Sequence, residues 1–226
     1  MSKAATDSGN RIMMQFQKEL AQLKRQVVAM GSLAESMVAG SSRALIKGER
    51  VAIDEVRASE PTLDRFQIEI DREAIRLITI YSPVARDLRF LLMIARINSE
   101  LERIGDQAVD NCEYVELLTT PRPPLNDLSK MAEIVLGMVG DALRAFQDED
   151  THRAQAVMKL DDQVDALNAQ IFRQLLEHPD EHPDIRAQCM SLILIARSLK
   201  RVADHATNIC EEVFYLVEAA DIRHQT

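Results

Sequence analysis

The sequence has no tryptophan, three cysteines, and only seven glycines and seven prolines among its 226 residues, with aromatics at 4%. Each scarcity excludes a class. A β-sandwich or barrel needs a turn residue every ~8–12 positions, and this chain has too few. An odd, sparse cysteine count without CxxC spacing gives neither a disulfide framework nor a zinc site, and suits a reducing cytoplasm. No run approaches the ~18 apolar residues of a membrane span. The richest, Phe90 to Ile97, is interrupted by Arg96, so no direct membrane insertion is expected. The opening MSKAATDSGNR lacks the apolar stretch of a signal peptide and is expected to be a disordered tail over residues 1–10. A basic stripe is missing too. The net charge is -9 and the pI about 5.1, whereas neutralising phosphates needs clustered Lys and Arg, so nucleic acid is not an expected partner.

What the chain does have is apolar residues, 46% of the total, too many for a disordered polypeptide at this charge. They recur at helical spacing. Phe16, Leu20, Leu23, Val27, Met30, Ala34 and Met37 make one stripe on a long first helix that ends near Gly48. Leu63, Phe66, Ile70, Ala74 and Leu77 make the stripe of a second helix, Ala52 to Ile80, in which either Ser59–Glu60 is a break or Pro61 is a kink. Ser82 before Pro83 resembles an N-cap with proline at the first helical position, opening a third helix that runs to about Leu118. TTPRPP, Thr119 to Pro124, is the clearest breaker. The pattern then restarts, with helices over Leu125–Phe146, His152–Leu176 and Ile185–Ala220, the last two separated by the loop HPDEHPD at 178–184. Nothing reads as a strand. The fold class is all-α, six long helices in two sets of three.

The two sets are copies. LERIGDQAVDNCE, from Leu101 to Glu113, and LKRVADHATNICE, from Leu199 to Glu211, share Leu, Arg, Asp, Ala, Cys and Glu at the same places. Glu60–Ile70 aligns with Asp161–Ile171 in the same way, Glu60 over Asp161 and Asp64 over Asp165. The separations, 98 and 101 residues, agree within a short loop difference. The chain divides into the tail, a first repeat over 11–120 and a second over 125–226.

Acid-xxx-acid pairs fall at equivalent places in the copies: Glu60/Asp64 and Glu102/Asp106 in the first, Asp161/Asp165 in the second. Side chains four apart stack on one helix face, and two carboxylates there repel unless a cation intervenes. Two such pairs on facing helices form a hard-oxygen site suited to Fe, Mn, Mg or Ca. A lone pair carries no weight. With 36 acids in 226 residues, squaring the acidic fraction over the chain gives about six such pairs by chance, and a solvated face is their plain reading. Repetition at matched places is the signal. The second copy departs from it, because Lys200 stands where Glu102 stands in the first. Lys200 is expected to pair with Asp204 and to supply the positive charge a metal would bring, leaving the second site poor in metal.

LERIGD–NCE, LKRVADHATNICEEV, the acid-xxx-acid pairs and YSPVARDLR (Tyr81 to Arg89) together resemble the PhoU family of phosphate-signalling regulators. Pro83, Ala85, Asp87, Leu88 and Arg89 meet the family's pattern at the start of the third helix, and Phe16, Glu19, Leu20, Leu23, Met30 and Gly31 that of the first. The resemblance runs from about Arg11 to about Ala220. It implies two tandem antiparallel three-helix bundles, usually as a homodimer. It also implies multinuclear surface metal clusters, iron in some members, here on Glu60, Asp64, Glu102 and Asp106, and on Asp161, Asp165 and Asp204. Asp110 stands where the family commonly has Asn, enriching the first set in acid. The implied function is that of a cytoplasmic adaptor, peripheral at the inner membrane through partners. It would couple a phosphate ABC transporter, through its ATPase, to a sensor histidine kinase, repress the phosphate-starvation response and restrain uptake when phosphate is plentiful. The resemblance implies no catalysis.

Two other readings compete. A di-metal carboxylate protein, an iron store or ferroxidase, needs Glu-x-x-His on two core-facing helices, and the chain offers only Glu149-x-x-His152 in a polar turn. A plain helical scaffold leaves the acidic pairs merely solvated. Cys112 and Cys210 read as small core residues, and His205 as a surface or interhelix histidine beside the second acidic site. Arg103 and Arg201 read as i,i+3 partners of Asp106 and Asp204.

Overall fold

A computed structural model describes residues 3–119, 126–177 and 183–219. Helix α1 spans Lys3–Lys47, α2 Arg50–Tyr81 and α3 Ala85–Glu116; α4 spans Asn126–Asp148, α5 Thr151–Met158, α6 Asp161–Leu176 and α7 Pro183–Glu218. No strand occurs among the described residues. The residues between α3 and α4 and between α6 and α7 lie largely outside the description, so the expected breakers at 119–124 and 178–184 are tested only at their edges: Thr119 is non-helical and Pro183 already begins α7. The tail expected over residues 1–10 is helical from Lys3 onward, as a continuation of α1.

The first-helix stripe is buried along its length, with Leu23, Val27, Met30 and Ala34 fully enclosed. Gly48 ends α1 with φ 70°, its amide donating to the Ala44 carbonyl at 3.1 Å, the left-handed C-terminal geometry that glycine adopts without a Cβ clash. At the matching turn of the second copy, 101 residues on, Glu149 takes φ 55° without being glycine, and Asp150 caps α5 by accepting the Arg153 amide at 3.0 Å.

Of three boundaries, one is open between two readings in the sequence and two differ from expectation. Helix α2 is continuous through Pro61, with no break at Ser59–Glu60. The break instead falls in the second copy, where Lys159–Leu160 divides the helix expected over 152–176 into α5 and α6. Pro61 aligns with Asp162 in the first turn of α6. Proline is tolerated in a first turn, where its missing N–H has no intrahelical partner to lose. Pro61 thus occupies the place where the other copy starts a new helix. Third, Ser82 is not the N-cap of α3. It takes φ 47°, and its amide donates to the Ile78 carbonyl at 3.0 Å, closing α2. A residue held left-handed at one helix's end cannot also adopt the extended N-cap geometry, so Val84, extended at φ -127°, precedes α3 instead.

Helices α1, α2 and α3 pack on one another as one bundle, and α4, α5, α6 and α7 as the other, the split fifth helix counting as one arm. The bundles join through α3 against α7, the most extensive helix pair, and α1 against α4. One continuous apolar core runs through both. Ile97, Leu101 and Ile104 of α3 and Leu199, Val202 and Ala206 of α7, the two helices in contact, are all essentially inaccessible to water, and each large side chain contributes about 1.5–3 kcal/mol by burial.

Polar pairs flank that apolar seam, and they follow the repeat. Glu100 Oε2 lies 2.7 Å from His205 Nδ1. Ser198 donates to Gln107 Oε1 at 3.0 Å and to the Gln107 carbonyl at 3.1 Å. Glu100 and Ser198 are 98 residues apart, as are Gln107 and His205. One pair is therefore the other viewed from the opposite repeat, and α3 and α7 cross about a pseudo-twofold axis.

Candidate functional site

The first carboxylate set is split between two neighbouring helices. Glu60 and Asp64 project from successive turns of α2, and Glu102, Asp106 and Asp110 from successive turns of α3. Asp64 and Asp106 are exposed and the other three half-buried. Burial pushes the Glu102 carboxyl up, with the charges of Asp106 and Asp64 adding to it. Burial likewise raises Asp106, helped by Asp64 and Asp110. Asp64 on α2 and the α3 pair therefore feel one another as like charges, offset only in part by Arg103 and Arg201. None of the five forms an ion pair with another described residue; Gln107 Nε2 donates to Asp110 at 3.3 Å.

The donor set is all carboxylate oxygen, which fits a hard cation in chemistry, and the raised carboxyls are what such a cation would relieve. The side chains are not drawn together. Among the described residues no three His, Cys, Asp or Glu side chains converge closely enough to hold a metal ion.

The second set is organised around an ammonium. Lys200 Nζ on α7 lies 3.2 Å from Asp161 Oδ1, 2.9 Å from Asp165 Oδ1 and 2.5 Å from Asp204 Oδ1. Asp161 stands at the first position of α6 and Asp165 one turn on. The pair of Lys200 with Asp204 expected from the spacing is present, and it extends across the helix interface to both aspartates of α6. Burial would lower the Lys200 ammonium, but hydrogen bonds to Asp204, Asp165 and Asp161 outweigh it and hold the group protonated well above the usual lysine range. Asp161 stays somewhat raised, by burial first and by the two neighbouring aspartates, against the pull of Lys200. With the cationic place filled, this set does not fit a metal ion.

His205 is nearly buried and bridges the repeats, as an interhelix histidine. Asn208 Nδ2 also donates to Glu100, at 3.0 Å. Burial raises the Glu100 carboxyl, but hydrogen bonds from His205 and Asn208 more than offset it and hold the group below the usual glutamate value. Arg103 approaches Glu100 at 3.8 Å and is not paired with Asp106. Among described residues Arg201 forms no ion pair with Asp204; its charge acts on Asp106 across the interface. All three cysteines are buried and none is in a disulfide, and burial pushes Cys112 up to about 11.

Sequence reasoning missed the interhelix pairs. Arg96 reaches Glu212 at 3.1 Å. Glu149 holds both Lys24, at 3.0 Å, and Arg86, at 2.6 Å, beside a surface cavity of about 390 Å³ between α1 and the start of α3. Such pairs depend on the register of one helix against another, which no local spacing reveals.

A family model described as "PhoU domain" matches twice, over residues 27–115 and 128–213, once in each bundle. The chain is 37% identical over 214 residues to the phosphate-specific transport system accessory protein PhoU homolog of Aquifex aeolicus, covering 94% of this chain and 97% of that one. It is 35% identical over 214 residues to the protein of the same name from Caulobacter vibrioides strain NA1000 / CB15N, covering 93% of each. Among solved structures, the crystal structure of PhoU from Pseudomonas aeruginosa superposes with a TM-score of 0.86 at 32% identity, over 91% of this chain and all of that one.

Proposed function

The chain belongs to the PhoU family, and on that premise we propose that it is a non-catalytic cytoplasmic adaptor of phosphate transport. In this reading it links the ATPase of a phosphate ABC transporter to a sensor histidine kinase, represses the phosphate-starvation response and restrains uptake when phosphate is plentiful. The observation that carries the reading is similarity along the whole length of both repeats to proteins named for a phosphate-specific transport system. A one-domain match would leave the partner-binding half open. The helical surface is consistent with partner docking, since Ile68 and Ile75 stand exposed one heptad apart on α2. No described helix is long and apolar enough to cross a membrane, so membrane contact would come through partners. The iron-store reading loses its local support, because Glu149 is engaged by Lys24 and Arg86 in the turn before α5.

The test is deletion of the gene in phosphate-rich medium, read by a phosphate-starvation reporter. The reading expects the reporter to be on, and normal repression rejects it. A pull-down from phosphate-replete cells, scored for the transporter ATPase and the sensor kinase, identifies the partners, and sedimentation of the pure protein tests the homodimer. The proposal extends to a hard cation at the first-repeat set. Replacing Glu60, Asp64, Glu102 and Asp106 by Ala should abolish bound iron or manganese on elemental analysis; unchanged stoichiometry removes the metal from the reading.

A further inference from the structure

We propose that Lys200 is a built-in cation that makes the second repeat permanently metal-independent and pins the restarted helix α6 onto α7. The argument begins with counting. A lysine ammonium has three N–H bonds and no acceptor. Three carboxylates surround Lys200 Nζ within 3.2 Å: two from α6, Asp161 and Asp165, and one from α7, Asp204. The donors and the acceptor groups match in number. Six or more oxygen ligands are what a hard divalent ion requires, and here the central position is taken by the protein's own charge.

The placement adds a mechanical role. The turn at Lys159–Leu160 interrupts the helix one residue before Asp161. Leu160 offers α6 no side-chain cap, so the start of α6 lacks the local fastening that Asp150 gives α5. Lys200, only 19% exposed in its side chain, grips that start from α7 at Asp161 and again one turn on at Asp165. In the first repeat α2 runs unbroken past the matching position and needs no such grip. There Glu102 replaces the lysine, and no ammonium stands among the acidic groups. The duplicated unit therefore carries two electrostatic solutions to one geometry. One is open to an external cation and the other is closed by an internal one. This inference stands whether or not the adaptor reading holds, because its readouts are metal content and the stability of the second bundle.

The experiment uses the full chain and Mn(II). Titration calorimetry and elemental analysis compare wild type with Lys200→Glu, Lys200→Met and the double variant Asp161→Asn/Asp165→Asn. Lys200→Glu should gain one equivalent of Mn(II) over wild type. Lys200→Met should melt at a lower temperature than wild type, and added Mn(II) should recover part of that loss. The double variant should leave Mn(II) stoichiometry at the wild-type value. A fall in stoichiometry in the double variant overturns the proposal, as does a folded Lys200→Glu protein that gains no metal. The double variant keeps the proposal refutable even if Lys200→Glu fails to fold.

Discussion

Replacing Glu100 by Gln keeps the side chain's shape and removes its charge from the α3–α7 crossing. The Glu100 and His205 side chains are 14% and 11% exposed, so their 2.7 Å contact is poorly screened by water. Asn208 donates to the same oxygen at 3.0 Å. Hydrogen bonds to a charged group contribute about 1.5–3 kcal/mol, and Gln retains one acceptor oxygen, so the expected loss of stability is about 1–3 kcal/mol at neutral pH. The pH dependence has a definite sign. Burial works to raise the carboxyl, but the bonds from His205 and Asn208 hold it below the usual glutamate value. A depressed carboxyl stabilises the fold fully above its unfolded value and loses that effect as pH falls through the folded value. The gap between wild type and Glu100→Gln should therefore be constant in the neutral range and close on acidification below the ordinary glutamate value. Urea denaturation of wild type, Glu100→Gln, His205→Gln and the double variant, at about pH 7 and about pH 3.5, measures it as a double-mutant cycle. A coupling energy below about 0.5 kcal/mol, or a gap that widens in acid, would refute the reasoning.

Other consequences follow from packing and charge. Gly105→Ala should destabilise the protein, because a Cβ there would sit 2.1 Å from Leu63 Cδ2, and Leu63 is itself 1% exposed. Overpacking at about 1–3 kcal/mol should outweigh a gain of about 1 kcal/mol in helix propensity, and a higher melting temperature would count against that balance. In metal-free protein Glu102→Gln should raise the melting temperature at neutral pH, since it removes a carboxylate whose charge the fold disfavours; the gain should vanish in acid, where the wild-type group is protonated too. Native protein should react with a thiol reagent far more slowly than urea-unfolded protein, because all three cysteines are buried and burial pushes the Cys112 thiol up to about 11.

The helical architecture was legible because long helices declare themselves by period. Leu23 through Met37 needed only their spacing, and Gly48 only its lack of a side chain. The duplication was legible because its marks are local and ordered. Boundaries read from single residues fared worse. Ser82–Pro83 carries the composition of an N-cap, yet backbone geometry gives the serine to the helix before it. The turn at Lys159–Leu160 has neither Gly nor Pro; the only local sign was the acidic pair Asp161–Asp162, suited to a helix's first turn. Glu149 in a left-handed conformation has no sequence signature, since nothing about a glutamate announces it. At the candidate site the Lys200 substitution was visible by alignment and its pairing with Asp204 by spacing. Its reach to Asp161 and Asp165, like the Glu100–His205 pair, depends on how α6 and α3 are set against α7.

The pseudo-twofold crossing of α3 and α7 means that this chain is a dimer whose two subunits are joined in one polypeptide. A symmetric dimer of a single repeat must present the same surface on both sides, so every residue at its interface meets its partner twice. Covalent linkage removes that restriction. The place of Glu100 could become Ser198, and that of Gln107 could become His205, without either change being imposed on the other half. Linkage also makes the association of the halves intramolecular, so it no longer depends on protein concentration. Freed in both respects, the two halves can diverge, one keeping Glu102 beside its acidic neighbours and the other carrying Lys200, whose ammonium pairs with three aspartates.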